Sequence, residues 1–216
     1  MVDADLAAGH RGVIERAAAA ASLRSRRHKL KLFLDFVQPT AETTVVDVGV
    51  ADAPFGEGDG QALTHNFFEA LYPWPERITA VGNVPLANFT KAFPQIPTVV
   101  ADGRVLPFED QEFDVAFSNA VVEHVGGRDD QERFCHELAR VARRVFVTTP
   151  NRRFPIDPHT LLPFAHWLPD GRRPHSLDGV RPLTARELRS LFPYRVRIVN
   201  TGLTLIAVGD RALSAG

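Results

Sequence analysis

The chain has 216 residues, 44% of them hydrophobic, with 25 Lys+Arg against 26 Asp+Glu. That length suits one good core and is short for two. The near-neutral charge gives no global pull toward nucleic acid or an anionic membrane. A single cysteine, Cys135, rules out an internal disulfide and points to a reducing, cytoplasmic setting. No apolar run approaches the roughly 20 residues that span a bilayer.

Taken in order, residues 14–38 are expected to form an N-terminal helix. Leu30, Phe33, Leu34 and Val37 fall on one helical stripe, and Pro39 ends it. The same helix carries Arg24, Arg26, Arg27, His28, Lys29 and Lys31. They read either as a solvated face or as a docking surface for an acidic ligand.

Thr44 to Gly49 reads as a buried, valine-rich first strand, with Asp47 inside it and a glycine at its end. A long loop follows, with Gly56, Gly58 and Gly60. Asn66-Phe67-Phe68-Glu69 predicts a capped short helix. Ile78–Val81 is a second strand ending at Gly82-Asn83. Leu86, Phe89 and Phe93 mark a short helix, and Thr98–Ala101 is a third strand ending at Asp102-Gly103.

Phe113–Ser118 is a fourth strand, about Asp129 to Ala142 a helix, and Val145–Thr149 a fifth strand. Strands alternating with helices at this spacing imply βαβ units and a parallel sheet. Residues 150–183 are broken by seven prolines, among which Phe154, Phe164 and Trp167 add aromatic bulk on the expected substrate side. Thr184-x-x-Glu187 opens another helix with Leu188, Leu191 and Phe192 buried. Val196–Val199 and Leu203–Val208, joined by Asn200-Thr201-Gly202, predict an antiparallel hairpin.

The ordered motifs Val46-Asp47-Val48-Gly49, Ile78-Thr79-Ala80-Val81-Gly82, Ala101-Asp102-Gly103, Leu106-Pro107-Phe108, Phe113-Asp114-Val115, Val122-Glu123-His124-Val125 and Thr149-Pro150-Asn151-Arg152 carry a resemblance. In order and spacing the chain resembles the class I S-adenosylmethionine-dependent methyltransferases, most closely the type 11 group, strongly over about residues 40 to 160. The resemblance implies an α/β, Rossmann-like doubly wound sheet of seven strands, with helices on both faces and a C-terminal antiparallel hairpin. The whole chain is expected to form one domain.

The resemblance further implies S-adenosyl-L-methionine as cofactor. Asp47, Gly49 and Val50 match the loop at its methionine portion. Asp102 and Gly103 match the adenine side. Ser118 and Asn119 match the end of strand four, near the reactive methyl, and Glu123-His124 the turn facing substrate. Two features depart from the family pattern. Val50-Ala51-Asp52-Ala53 stands where further glycines are usual, and Gly82 stands where an acid usually bonds the ribose, with Asn83 beside it.

A methyl carried on a sulfonium is already activated, so a base is needed only for a protonated acceptor. His124 is the first candidate and His159, with Asp157, the second; each also reads as a residue bonding within its own turn. Asp47, buried in an apolar strand, is expected to accept hydrogen bonds from the following loop. Cys135 reads as packed. The histidine spacing suggests no metal site. The missing Gly-x-Gly-x-x-Gly argues against a nicotinamide enzyme. The expectation is a small-molecule methyltransferase without nucleic-acid or membrane partners. The alternative is a non-catalytic domain of the same fold, for which Gly82 and the altered loop speak.

Overall fold

The structure is a computed structural model that describes residues 23–53, 66–156, 162–164, 167–168, 172 and 174–214. Seven strands form one sheet in the order β3-β2-β1-β4-β5-β7-β6. They are β1 (Val45–Val48), β2 (Ile78–Gly82), β3 (Thr98–Val100), β4 (Phe113–Asn119), β5 (Ala142–Pro150), β6 (Arg197–Asn200) and β7 (Thr204–Asp210). The first five pair in parallel; β7 runs antiparallel to both β5 and β6. Strand order reverses between β1 and β4, and in such sheets the crevice beyond the carboxyl ends at that point is the usual ligand site.

The helices are α1 (23–37), α2 (Phe67–Leu71), α3 (Ala87–Ala92), α4 (Arg128–Val141) and α5 (Ala185–Arg189). Alternation along the strands divides the core into two layers. Val46, Val48, Ala116, Val145 and Val147 face Phe134 and Leu138 of α4 and Leu188 of α5. Val45, Val115, Phe117 and Phe146 face the other way, toward Phe33 of α1, Phe67 and Phe68 of α2 and Phe89 of α3. Phe33 is the hub of the second layer, meeting Phe68, Tyr72, Phe117 and Phe146 edge-on at 4.9 to 5.9 Å between centroids. Aromatic pairs prefer this geometry over face-to-face sandwiches.

The predicted strands and helices are all present, with shifted ends. Strand β5 is longer than expected, because it begins directly where α4 stops and continues through Pro150. Pro150 is tolerated as the last residue of the strand, paired with Thr204 of β7. The Thr184–Glu187 capping box forms as predicted. The one expected at Asn66–Glu69 does not. Asn66 makes no cap bond and instead clasps Ala51, whose N–H donates to Oδ1 (3.1 Å) while Nδ2 donates to the Ala51 carbonyl (2.8 Å). Glu69 is turned into the core. Stretch 14–22 of the predicted first helix lies outside the described residues.

Candidate cofactor cleft and acceptor side

A cavity of about 590 Å³ opens at the carboxyl ends of β1 to β4. That lies within the range of roughly 300–1,000 Å³ for small-molecule sites. Its walls are Val48–Val50, Val81–Asn83, Ala101–Arg104, the turn residues Ala120, Val121, His124 and Val125, and Phe134 of α4. Of the residues singled out from sequence, Gly49, Val50, Asn83, Asp102, Gly103 and His124 line this cleft together.

Gly49 sits at φ +103°, a conformation that side chains disfavour. A Cβ built there would collide with the Val121 side chain, so the glycine admits close approach of the turn after β4. Gly103 is likewise pressed against Phe134 and Val48. At Gly82 a Cβ would meet Leu86, so the missing acid is matched by a leucine packed into its place.

Asp102 lines the cleft with its carboxylate already engaged. Arg104 donates to it from Nε (3.0 and 3.1 Å), Nη2 (2.6 Å) and its backbone N–H (2.9 Å), and Nη1 reaches Asp130 at 2.9 Å. These bonds hold the Asp102 carboxyl below the usual range. Asp52, in the stretch that replaces the expected glycines, caps α3. Its Oδ1 accepts from the N–H groups of Asn88 (2.7 Å) and Phe89 (2.9 Å).

Ser118 and Asn119 lie at the end of β4, outside the large cleft. Ser118 is buried and its hydroxyl donates to the Val48 carbonyl at 2.8 Å, bracing β4 against β1. Asn119 Oδ1 accepts from Lys29 Nζ (2.7 Å) and from the Thr148 hydroxyl (2.8 Å). Lys29, from the basic helix, is half-buried, with its ammonium 5.3 Å from the Phe67 ring centroid. Burial foremost, with Arg26 adding and Glu123 opposing, pulls its pKa down to about 8.

Glu123 is fully buried next to His124. Its Oε2 accepts from the Thr149 hydroxyl at 2.9 Å, and its Oε1 has no hydrogen-bond partner among the described residues. Burial raises its pKa to about 7, against the Thr149 bond and the Lys29 charge. His124 is 44% exposed at the cleft, with Nε2 4.0 Å from Glu123 Oε1. His159 and Asp157 lie outside the described residues.

Asp47 is a correction. Among the described residues it is not held by donors from the following loop. It faces Glu69 of α2, and both are buried. With Asn119 they line a void of about 20 Å³. Two carboxyls in one apolar site cannot both ionise, so burial and the neighbouring Glu69 charge push the Asp47 pKa well up, and neither Glu69 oxygen has a hydrogen-bond partner among the described residues. Glu69, Arg104 and the tie between Lys29 and Asn119 had no signal in the sequence beyond Lys29's place in a basic helix. Cys135 is packed in the core as expected. Phe164 and Trp167 meet at a tilt, 4.9 Å between centroids and 41° between ring planes, and stay about half exposed without lining the cleft.

Strand order and cleft position are those of the class I methyltransferase fold. Residues 58–145 match a family model described as a methyltransferase domain. Among solved structures, the PH0226 protein of Pyrococcus horikoshii superposes with a TM-score of 0.59 at 15% identity, covering 87% of this chain and 90% of that one. A SAM-dependent methyltransferase from Aquifex aeolicus gives 0.54 at 15% identity, covering 83% and 88%. The 1,6-didemethyltoxoflavin-N1-methyltransferase of Burkholderia thailandensis, solved with its acceptor and S-adenosylhomocysteine, gives 0.50 at 16% identity, covering 96% and 85%. Comparison with curated proteins returns no match. The fold is that of the class I S-adenosylmethionine-dependent methyltransferases, and residues 58–145 are similar to a methyltransferase domain, as the motifs led us to expect.

Proposed function

We propose that this protein transfers a methyl group from S-adenosylmethionine to a small-molecule acceptor. The observation that carries the reading is the cleft at the carboxyl ends of β1 to β4, which gathers six of the residues expected to serve it. Gly49, Val50, Asn83, Asp102 and Gly103 would hold the cofactor, with Asn83 able to both donate and accept at the ribose side. When bound, the cofactor supplies a methyl group already activated by its sulfonium.

What remains for the chain is to orient the acceptor and exclude water. His124 takes the acceptor's proton where there is one, with Glu123 behind it, 4.0 Å from Nε2 to Oε1. His159 is kept as the second candidate base. Ser118 and Asn119 fix the end of β4 from behind. The single cysteine and near-neutral charge fit a cytoplasmic enzyme of one domain. Among the described residues no helix is long and apolar enough to cross a membrane.

One observation favours the non-catalytic alternative: Asp102 is occupied by Arg104. Calorimetric titration with S-adenosylmethionine and S-adenosylhomocysteine separates the two readings. Submillimolar binding of both, weakened at least tenfold by Asp102→Ala, is the expected result. Binding of neither compound would leave a domain that has kept the fold and lost the chemistry.

A further inference from the structure

A second cavity, of about 410 Å³, lies on the other side of the turn that carries His124. Three arginines from three separate segments line it: Arg128 in the first turn of α4, Arg152 just after β5, and Arg181 before α5. Their backbones are held by tertiary bonds. The Arg181 N–H donates to the Glu123 carbonyl (2.8 Å), and the Arg181 carbonyl accepts from Gln131 Nε2 (3.1 Å). The Arg152 N–H donates to the Leu183 carbonyl (3.0 Å). Gln131 is itself buried and also donates to the Val122 carbonyl, at 3.1 Å.

Among the described residues the charges do not balance. Two described carboxylates border the cavity, and both are engaged. Glu187 accepts from the Thr184 N–H and hydroxyl and pairs with Arg152 at 2.9 Å; Asp178 lies 3.0 Å from the His175 ring. Arg128 donates only to neutral oxygens, Ser190 Oγ (3.0 Å) and the Glu187 carbonyl (3.4 Å). Among the described residues neither Arg128 nor Arg181 has a carboxylate within ion-pair distance. Like charges brought round one concavity repel, and an anion placed between them relieves the repulsion through charge-assisted, often bidentate bonds.

We propose that this cavity is an anion-binding subsite for a phosphate or carboxylate group of a small molecule. The turn of residues 121–125 separates it from the cofactor cleft and is hydrogen-bonded to its floor through Val122 and Glu123. Resting on the methyltransferase reading, the group belongs to the acceptor: a molecule methylated beside His124 has an anionic end seated at Arg128 and Arg181. The acceptor class is then a phosphorylated or carboxylated small molecule rather than a neutral apolar one.

The test needs no cofactor. The full chain is titrated calorimetrically with pyrophosphate, and separately with citrate, at low ionic strength. One-site binding of at least one probe is expected, weakened tenfold or more in both Arg181→Gln and Arg128→Gln. Arg189→Gln, an exposed change on α5 outside the cavity, should stay within twofold of the parent. Tighter pyrophosphate assigns a phosphate, tighter citrate a carboxylate. Failure of both probes to bind, or equal affinity in the parent and both cavity variants, overturns the proposal. A parallel S-adenosylhomocysteine titration of the same sample reports on the cofactor site independently, so the two readings fail separately.

Discussion

Lys29 Nζ donates to Asn119 Oδ1 at 2.7 Å, tying the middle of α1 to the carboxyl end of β4 across 90 residues of chain. A hydrogen bond involving a charged group contributes about 1.5–3 kcal/mol, more than a neutral one. Lys29→Met should therefore lower stability by about 1–2 kcal/mol in urea unfolding, part of the loss being offset by relieving a buried ammonium. The folded pKa near 8 lies below the unfolded value, so the folded chain binds fewer protons between the two. Stability from this group rises as pH climbs from about 8 toward 10, and the Met variant should lose that rise.

The Asp47–Glu69 pair predicts the opposite slope at lower pH. Burial raises both carboxyls, with Glu69 at about 7, so the folded chain holds more protons than the unfolded one above pH ~4.5. The stability these groups contribute is full below that point and is lost as pH rises toward 7. Glu69→Gln should flatten the decline. Unfolding free energies at pH 5 and pH 8 should differ by about 1–3 kcal/mol less in the variant than in the parent. Glu123 falls in the same window, so Glu123→Gln serves as the comparison.

Gly49→Ala combines two penalties. The added methyl meets Val121, and the backbone at φ +103° is strained for any side chain. A loss of about 2–4 kcal/mol is expected, together with weakened S-adenosylhomocysteine binding. Adding Val121→Ala should recover the steric part and leave the backbone part, so a double-mutant cycle read by thermal unfolding separates them.

Asp52→Ala removes the acceptor for two amides at the start of α3. The expected cost is about 0.5–2 kcal/mol, the usual range for a lost cap. Hydrogen exchange at Asn88 and Phe89 should accelerate while β5 stays protected.

Arg104→Gln removes the guanidinium bonds to the Asp102 carboxylate, together with the tie to Asp130 and part of the cleft wall. If Asp102 serves the cofactor, S-adenosylhomocysteine should bind several-fold tighter in this variant. Unchanged affinity would place Asp102 outside the cofactor's contacts.

Strand sequence, parallel pairing and the terminal hairpin were legible because alternating burial and turn residues leave local marks. The cleft was legible for the same reason: a strand that ends in glycine or aspartate places that residue at the mouth of a parallel sheet. Missed were relationships set by distant segments. Asn66-Phe67-Phe68-Glu69 has the spacing of a capping box, and only the packing of α2 against β1 shows that Glu69 turns inward to Asp47. Asp102 followed by Gly103 and Arg104 does not announce that the arginine folds back across the carboxylate. The arginine cavity draws on residues 128, 152 and 181, which no sequence window contains.

Asn119 has one further consequence. Its amide oxygen is claimed from two sides, by Lys29 and Thr148, which leaves no freedom to flip the group. The Nδ2 hydrogens are therefore presented in a fixed direction. Any molecule that reaches the tip of β4 meets a preset donor, and an atom with a lone pair is welcomed there in a way that a methyl or an ammonium is not.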